Sequence, residues 1–188
     1  KNIRFFIIVI KKNFFILFKL TFFIHLQELF CSNKLNKNKE TLMRQMQLEK
    51  PGGLDKFKLV EVDLPQPKED EILIKVNSSS LNYHDLMCAL GLIPTDDGRV
   101  LLGDAAGEIT EVGSAVKNWQ VGDKVMSACF PNWVEGPPRY EFLSFIGDNQ
   151  DGYATEYIAI KETAVTKMPS KWSLQEAATL PCAGLTAW

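Results

Sequence analysis

The chain has 188 residues, 46% of them hydrophobic and 23% charged, with a formal net charge of −2, a profile that excludes a disordered or collagenous chain and points to one globular domain with an extension. The charge is unevenly placed, because residues 1–42 carry eight Lys/Arg against two acids while residues 43–188 carry thirteen against twenty-one. The acidic body offers no basic stripe to neutralise phosphates, so nucleic acid is not an expected partner.

Residues 1–42 differ from the rest. Phe, Ile, Leu, Lys and Asn fill 32 of these 42 positions, and Gly, Pro, Ala and Asp are missing from them. The apolar run Phe14–Leu26 is broken by Lys19 and separated from Phe5–Ile10 by Lys11 and Lys12, which falls short of the roughly 18–20 clean apolar residues that span a bilayer. No small-residue cleavage site follows it. Four readings stay open: translated upstream sequence ahead of a start at Met43 or Met46, an uncleaved anchor, a targeting peptide, or a folded extension. Contact with a membrane is expected only if the segment is a real anchor.

From Phe57 onward, short β-leaning runs alternate with turn signals. Strands are expected at Phe57–Asp63, Glu71–Ser79, Gly107–Val112, Asp123–Ala128, Tyr153–Ile160 and Ala164–Lys167. The Pro65-Gln66-Pro67 break and the pairs Gly113-Ser114 and Gly122-Asp123 supply turns, since Pro presets its φ and Gly tolerates positive values. A helix is expected over Asn82–Leu90, with Leu86 and Leu90 four apart and Gly91 as its stop. A second begins at Ser173, whose hydroxyl and Glu176 make a capping box, and runs until Pro181 interferes. Ala183–Trp188 reads as a further helix beginning. Between Phe130 and Asp151 lies a long Pro- and Gly-containing loop of the kind that covers something.

Cys31, Cys88, Cys129 and Cys182 are 57, 41 and 53 residues apart, without a CxxC pair. Free thiols in a reducing compartment, hence a cytoplasmic location, are the expectation. Gly103-Asp104-Ala105-Ala106-Gly107 is Gly-rich, but its spacing and surroundings are not those of a dinucleotide fingerprint. Glycines at 103, 107, 113 and 122 instead suit tight bends and close backbone approach.

Three blocks occur in order. The first is Ser80-Leu81-Asn82-Tyr83-His84-Asp85 followed by Gly91. The second runs from Gly103-Asp104-Ala105-Ala106-Gly107-Glu108-Ile109 through Val112-Gly113 to Val121-Gly122-Asp123-Lys124-Val125. The third is Ala177-Ala178-Thr179-Leu180-Pro181-Cys182-Ala183-Gly184-Leu185-Thr186-Ala187-Trp188. Together they resemble the N-terminal, GroES-like catalytic domain of the medium-chain dehydrogenases and reductases, in the quinone-oxidoreductase-like, NAD(P)-dependent branch. The resemblance covers nearly all of residues 45–188.

It implies a mainly β fold with a few short helices, a partly open GroES-like barrel over residues 43–172, and an inter-domain helical segment beginning at residue 173. A Rossmann nucleotide-binding domain would follow Trp188, so the 188-residue chain alone is expected to be inactive. The implied chemistry is hydride transfer between NADP or NAD and a small-molecule quinone, enone, alcohol or carbonyl, in a parent that forms homo-oligomers. A stand-alone GroES-like binding module is the competing expectation.

No zinc is expected. The family's catalytic ligand positions hold Asn82, Asp104-Ala105 and Cys182, where only Cys182 is a good soft ligand. The structural zinc lobe is represented by Cys129 alone. The resemblance instead implies cofactor-facing roles for Asn82 and Thr186. Read from the residues, Asn82 also suits a helix N-cap and Thr186 an ordinary helical position. His84, where zinc-dependent relatives place a hydroxyl relay, is the candidate catalytic proton donor, with a surface histidine as the plainer reading. Tyr83 is a second catalytic pocket candidate. Asp85 suits the positive end of the helix dipole, and Cys182 a small buried apolar position or a reactive thiol. Phe130, Trp133 and Tyr140 are candidates for a substrate rim or for packing.

Overall fold

The computed structural model describes residues 42–188, so the four readings of the N-terminal segment fall outside the described residues up to position 41. Eight strands, all paired antiparallel, form two sheets. They are β1 (Leu42–Leu48), β2 (Phe57–Asp63), β3 (Glu71–Ser80), β4 (Arg99–Val100), β5 (Asp104–Val112), β6 (Lys124–Ser127), β7 (Tyr157–Lys161) and β8 (Val165–Lys167). The smaller sheet runs β2-β1-β4 and the larger β7-β3-β5-β6-β8. The sheets do not close on each other, which is the partly open barrel the sequence implied.

Helix α1 (Tyr83–Ala89) follows β3, and two short helices, α2 (Leu174–Ala177) and α3 (Leu185–Ala187), flank a wide π-type turn at Leu180–Gly184. Among the described residues no helix is long and apolar enough to cross a membrane.

The central strand explains why the core sits where it does. Ile72, Leu73 and Ile74 are consecutive and all buried, so β3 is covered on both faces as well as paired on both edges by β5 and β7. Met46, Leu48, Leu86, Leu101, Leu102, Ile109, Ile146 and Tyr153 complete the same core. Burying each such side chain contributes about 1.5–3 kcal/mol relative to leaving it in water. Register shifts at Leu73/Ile74 and Val76/Ser78 bend the end of β3, and the strand then delivers Ser78, Ser79 and Ser80 inward.

Two strands escape the sequence pattern. In β1 the run Leu-Met-Arg-Gln-Met-Gln-Leu is made of good helix formers, yet it pairs along its whole length with β2 and buries Met46 completely. Strand β4 is two residues long, too short for any periodicity. Strand β5 begins three residues earlier than expected, at Asp104, and β7 begins at Tyr157 rather than Tyr153. The reason for the second difference is local. Gly152, Tyr153 and Ala154 donate their N–H groups to Val100, Leu102 and Leu101, so this stretch is stitched to the far side of the core instead of joining the ladder.

Glycine at 107 is required by close approach: a Cβ there would lie 2.3 Å from the Lys75 carbonyl oxygen on β3. A leucine meets the opposite problem. Leu102 adopts φ +78 while 1% exposed, a conformation that costs on the order of 1–3 kcal/mol and persists only where surroundings impose it. Tyr153 N–H bonds its carbonyl at 2.8 Å. This kink aims Gly103 and Asp104 into the interior.

Candidate active site

Asp104 is the centre of the site. It opens β5 with no exposed surface, and its backbone is fixed on both sides: the Ser79 hydroxyl donates to its carbonyl at 2.5 Å, and the next N–H, Ala105, donates to Ser127 Oγ at 3.0 Å. One carboxylate oxygen, Oδ2, accepts from Asn82 Nδ2 at 3.0 Å and from the Cys182 N–H at 3.1 Å. The other, Oδ1, is buried without a hydrogen-bond partner among the described residues, as is the Tyr153 hydroxyl. Burial pushes the Asp104 carboxyl up to about 6, against the pull of the Asn82 and Cys182 hydrogen bonds.

Asn82 stands at the N-cap of α1 in extended conformation. Its N–H donates to Asp85 Oδ2 at 2.7 Å, and Asp85 Oδ1 also accepts from Gly103 N–H at 3.2 Å. Asp85 therefore does anchor the helix start, and it ties α1 to the Leu102–Gly103 kink as well. Its carboxyl is pushed up to about 7, first by burial and then by the negative charge of Asp104, while the Asn82 and Gly103 N–H groups pull the other way. Gly91, at φ +72, ends the helix with its N–H on the Cys88 carbonyl, as its position suggested.

Asp104 also meets the last segment of the chain. The Ser173–Glu176 capping box forms as expected and starts α2. The helix is shorter than expected, because Pro181 has no N–H to give and the chain widens into the π-type turn that carries Cys182. The Cys182 thiol is held below its usual range, first by a hydrogen bond from Cys129 and with help from the Thr186 hydroxyl, while burial opposes. The Cys129 thiol is pushed up, first by that same bond and then by burial. Nothing in the spacing of two cysteines 53 positions apart signalled this pairing.

Beside the thiols opens a cleft of about 780 Å³, walled by Phe130, Trp133, Phe145, Leu180, Leu185 and Trp188, with Cys129, Cys182, Thr166 and Thr186 supplying its polar atoms. Mostly apolar walls with a few convergent polar groups are the usual make-up of a small-molecule site. The long loop does cover it: Phe130 packs edge-on against Phe145 at 5.5 Å and against Trp133 at 6.1 Å. Tyr140, from the same loop, is 90% exposed and takes no part.

Of the four residues singled out from sequence, Thr186 lines this cleft and Asn82 stands behind it on Asp104. His84 and Tyr83 are not among the lining residues. His84 packs its ring on Phe145 at 4.3 Å and turns Nε2 to Asp148 at 3.2 Å, and Tyr83 is 65% exposed. Sequence reasoning named Asp104 and Cys129 only against zinc-ligand positions and did not foresee the first as a shared acceptor or the second beside Cys182, and it passed over the buried hydroxyl of Tyr153.

Comparison with known proteins places this arrangement. Residues 68–170 match the model of the alcohol dehydrogenase GroES-like domain. A zinc-type alcohol dehydrogenase-like protein of Schizosaccharomyces pombe is 36% identical over 140 residues, covering 72% of this chain and 40% of that protein. A chloroplastic quinone-oxidoreductase homolog of Spinacia oleracea is 34% identical over 140 residues, covering 72% of this chain and 37% of its own length. The chain thus spans about two fifths of the length of these curated relatives. Among solved structures, one from Sinorhizobium meliloti described as an alcohol dehydrogenase superposes with a TM-score of 0.72 at 29% identity, covering 79% of this chain and 45% of that one.

Proposed function

Because the chain belongs to the alcohol dehydrogenase GroES-like domain family of the medium-chain dehydrogenases and reductases, we propose that residues 43–172 are the substrate-side domain of an NAD(P)H-dependent oxidoreductase that is zinc-free at its catalytic centre. The substrate is a quinone, an enone or a small carbonyl or alcohol, and residues 173–188 lead from this domain toward the nucleotide-binding part of the enzyme.

The observation that carries the reading is the shared oxygen of Asp104. At the positions where zinc ligands would stand, Asn82 and the Cys182 backbone are already bound to the same carboxylate oxygen, Ala105 offers no donor, and an asparagine amide is a poor zinc ligand. Hydrogen bonds take the place that a metal ion would fill, so these residues do not fit one.

They do fit a nicotinamide. Thr186 lines the wall of an apolar cleft and Asn82 backs the same wall through Asp104, so Thr186 would meet the ring and Asn82 would position the wall behind it. When bound, that cofactor supplies or accepts the hydride. The chain's own contribution is placement and dryness. Phe130, Trp133 and Phe145 give a flat, electron-poor substrate an aromatic bed and exclude water, which strengthens each polar contact inside. Thr186 and the thiols of Cys182 and Cys129 line this cleft and would be the groups to stabilise a substrate oxygen that gains charge there. Phe145 stands between His84 and this cleft, so a proton from His84 would have to pass around that ring.

We propose further that the enzyme is cytoplasmic and a homo-oligomer. The zinc-free reading is tested by reduction of a quinone or enone by NADPH with the complete protein, before and after exhaustive chelation. Unchanged turnover is expected; a loss restored by zinc and not by magnesium, in the C88S variant as well as in the parent, overturns it. Residues 1–188 alone are expected neither to bind NADPH at micromolar concentration nor to reduce a quinone, and positive results there would move nucleotide binding into this domain.

A further inference from the structure

Behind Phe145, away from the cleft, a second set of donors converges. His84 and Cys88 lie four residues apart on α1 and so share one face of the helix. Asp148 reaches them from the turn that follows Phe145. His84 Nε2 lies 3.2 Å from Asp148 Oδ2, and one ligand atom from each of the three residues falls within 4.8 Å of the others. We propose that His84, Cys88 and Asp148 form a binding site for a borderline divalent transition-metal ion, zinc by preference, with a fourth coordination position open to solvent.

The donor set decides the class of ion. One imidazole nitrogen, one sulfur and one carboxylate oxygen match zinc or cobalt, whereas magnesium and calcium take oxygen almost exclusively. A thiolate and a carboxylate together balance a divalent charge. Cys88 ligates by giving its S–H proton to solvent, and no oxidant or reductant is involved.

Geometry sets how much must move. Ligand atoms around a tetrahedral zinc stand roughly 3.3–3.8 Å apart, given bonds of about 2.0–2.3 Å, so from separations within 4.8 Å no pair has to close by more than about 1.5 Å. The inner wall is fixed. Cys88 is fully buried, and its helix is pinned by Asp85 to the Gly103 N–H. The Asp148 turn is fixed as well, by Asn149 Oδ1 accepting from the Phe145 N–H at 3.0 Å and by Gly147, whose absent Cβ would meet Leu102 N at 2.9 Å. His84 and Asp148 are the partners with room to adjust, with side chains 29% and 20% exposed, and Phe145 stacks against the imidazole. A simple His84–Asp148 ion pair would be worth only about 0–1 kcal/mol at such a surface and makes no use of the thiol.

Cobalt(II) titrated into the metal-stripped 188-residue chain tests the site. A thiolate ligand gives a sulfur-to-cobalt charge-transfer band in the near ultraviolet. The expected result is a saturable band of one equivalent that zinc abolishes. C182S should keep the band, C88S should lose it, and H84Q and D148N should each weaken cobalt affinity by at least about tenfold. No saturable band, or a band that survives C88S and vanishes in C182S, overturns the proposal, the latter by moving the metal to the Asp104 cluster. If C88S fails to fold, the two partly exposed variants decide: unchanged affinity in both sinks the site.

Discussion

Replacing Asp85 by asparagine isolates the cost of keeping a carboxyl group in the core. The side chain is 2% exposed and its pKa is raised from 3.8 to about 7, with burial the largest cause. That rise corresponds to about 4 kcal/mol of difference between the neutral and ionised forms in the fold. Because the shift is upward, the folded chain holds this proton more tightly than the unfolded chain does. The stability that Asp85 contributes is therefore complete below about pH 4 and is lost as the pH rises through about 7. Asp104, raised to about 6, acts in the same direction over a lower window. Its charge also contributes to the Asp85 shift, so the two losses are coupled and do not simply add. The assay is urea unfolding followed by tryptophan fluorescence from about pH 4 to about pH 8. The parent chain should lose several kcal/mol across that range, and D85N only the share due to Asp104. At the acid end D85N should be the weaker protein by about 1–3 kcal/mol, because a carboxamide NH₂ faces the N–H of either Asn82 or Gly103. Because the loss of about 4 kcal/mol exceeds that deficit, the two profiles cross below neutrality and D85N is the more stable protein above about pH 7. Equal pH dependence in both proteins, or a parent that gains stability from pH 5 to 8, would refute the argument that Asp85 is a buried acid.

Three further outcomes rest on other parts of the structure. Gly107→Ala should prevent folding or cost more than about 3 kcal/mol, since its Cβ would lie 2.3 Å from backbone oxygen on β3 and neither strand can retreat; a urea midpoint within error of the parent would show that β3 and β5 are further apart than described. Met46→Ala should cost about 2–5 kcal/mol by leaving a cavity at a fully buried position, and a cost under 1 kcal/mol would remove β1 from the core. In timed alkylation of the native chain with iodoacetamide, Cys182 should react first among the three described cysteines, since its thiol is partly exposed and held low by Cys129 and Thr186. Cys88, fully buried, should react only after unfolding; equal rates at the two sites would discredit the thiol pair.

What could be read from the sequence divides along the range of the interactions involved. The capping box at Ser173–Glu176 and the helix stop at Gly91 were legible, because each is decided within four residues. The extents of β2 and β3 were legible for the same reason. β1 was not, because nothing within Leu42–Leu48 prefers a strand and the pairing partner supplies the preference. The site was legible as identities but not as connections. Asn82, Asp104 and Cys182 could each be named from ordered blocks, yet that one carboxylate joins the other two depends on the kink at Leu102, where a leucine takes a backbone angle that no propensity scale anticipates. The Cys129–Cys182 pair and the convergence of Asp148 on α1 are likewise products of the loop between β6 and β7, which sequence could only mark as a cover.

The shared acceptor on Asp104 bears on how firmly the Cys182 wall of the cleft is held. Oδ2 receives one N–H from position 82 and another from position 182, so two stretches of chain a hundred residues apart are held to a single atom. A hydrogen bond weakens steeply once it is stretched or bent past its normal range. The gap between the start of α1 and the turn bearing Cys182 is therefore set in a step rather than along a gradual scale. The wall of the cleft that carries Cys182 therefore keeps its place against a bound guest until one of these bonds breaks outright, and it yields abruptly when one does.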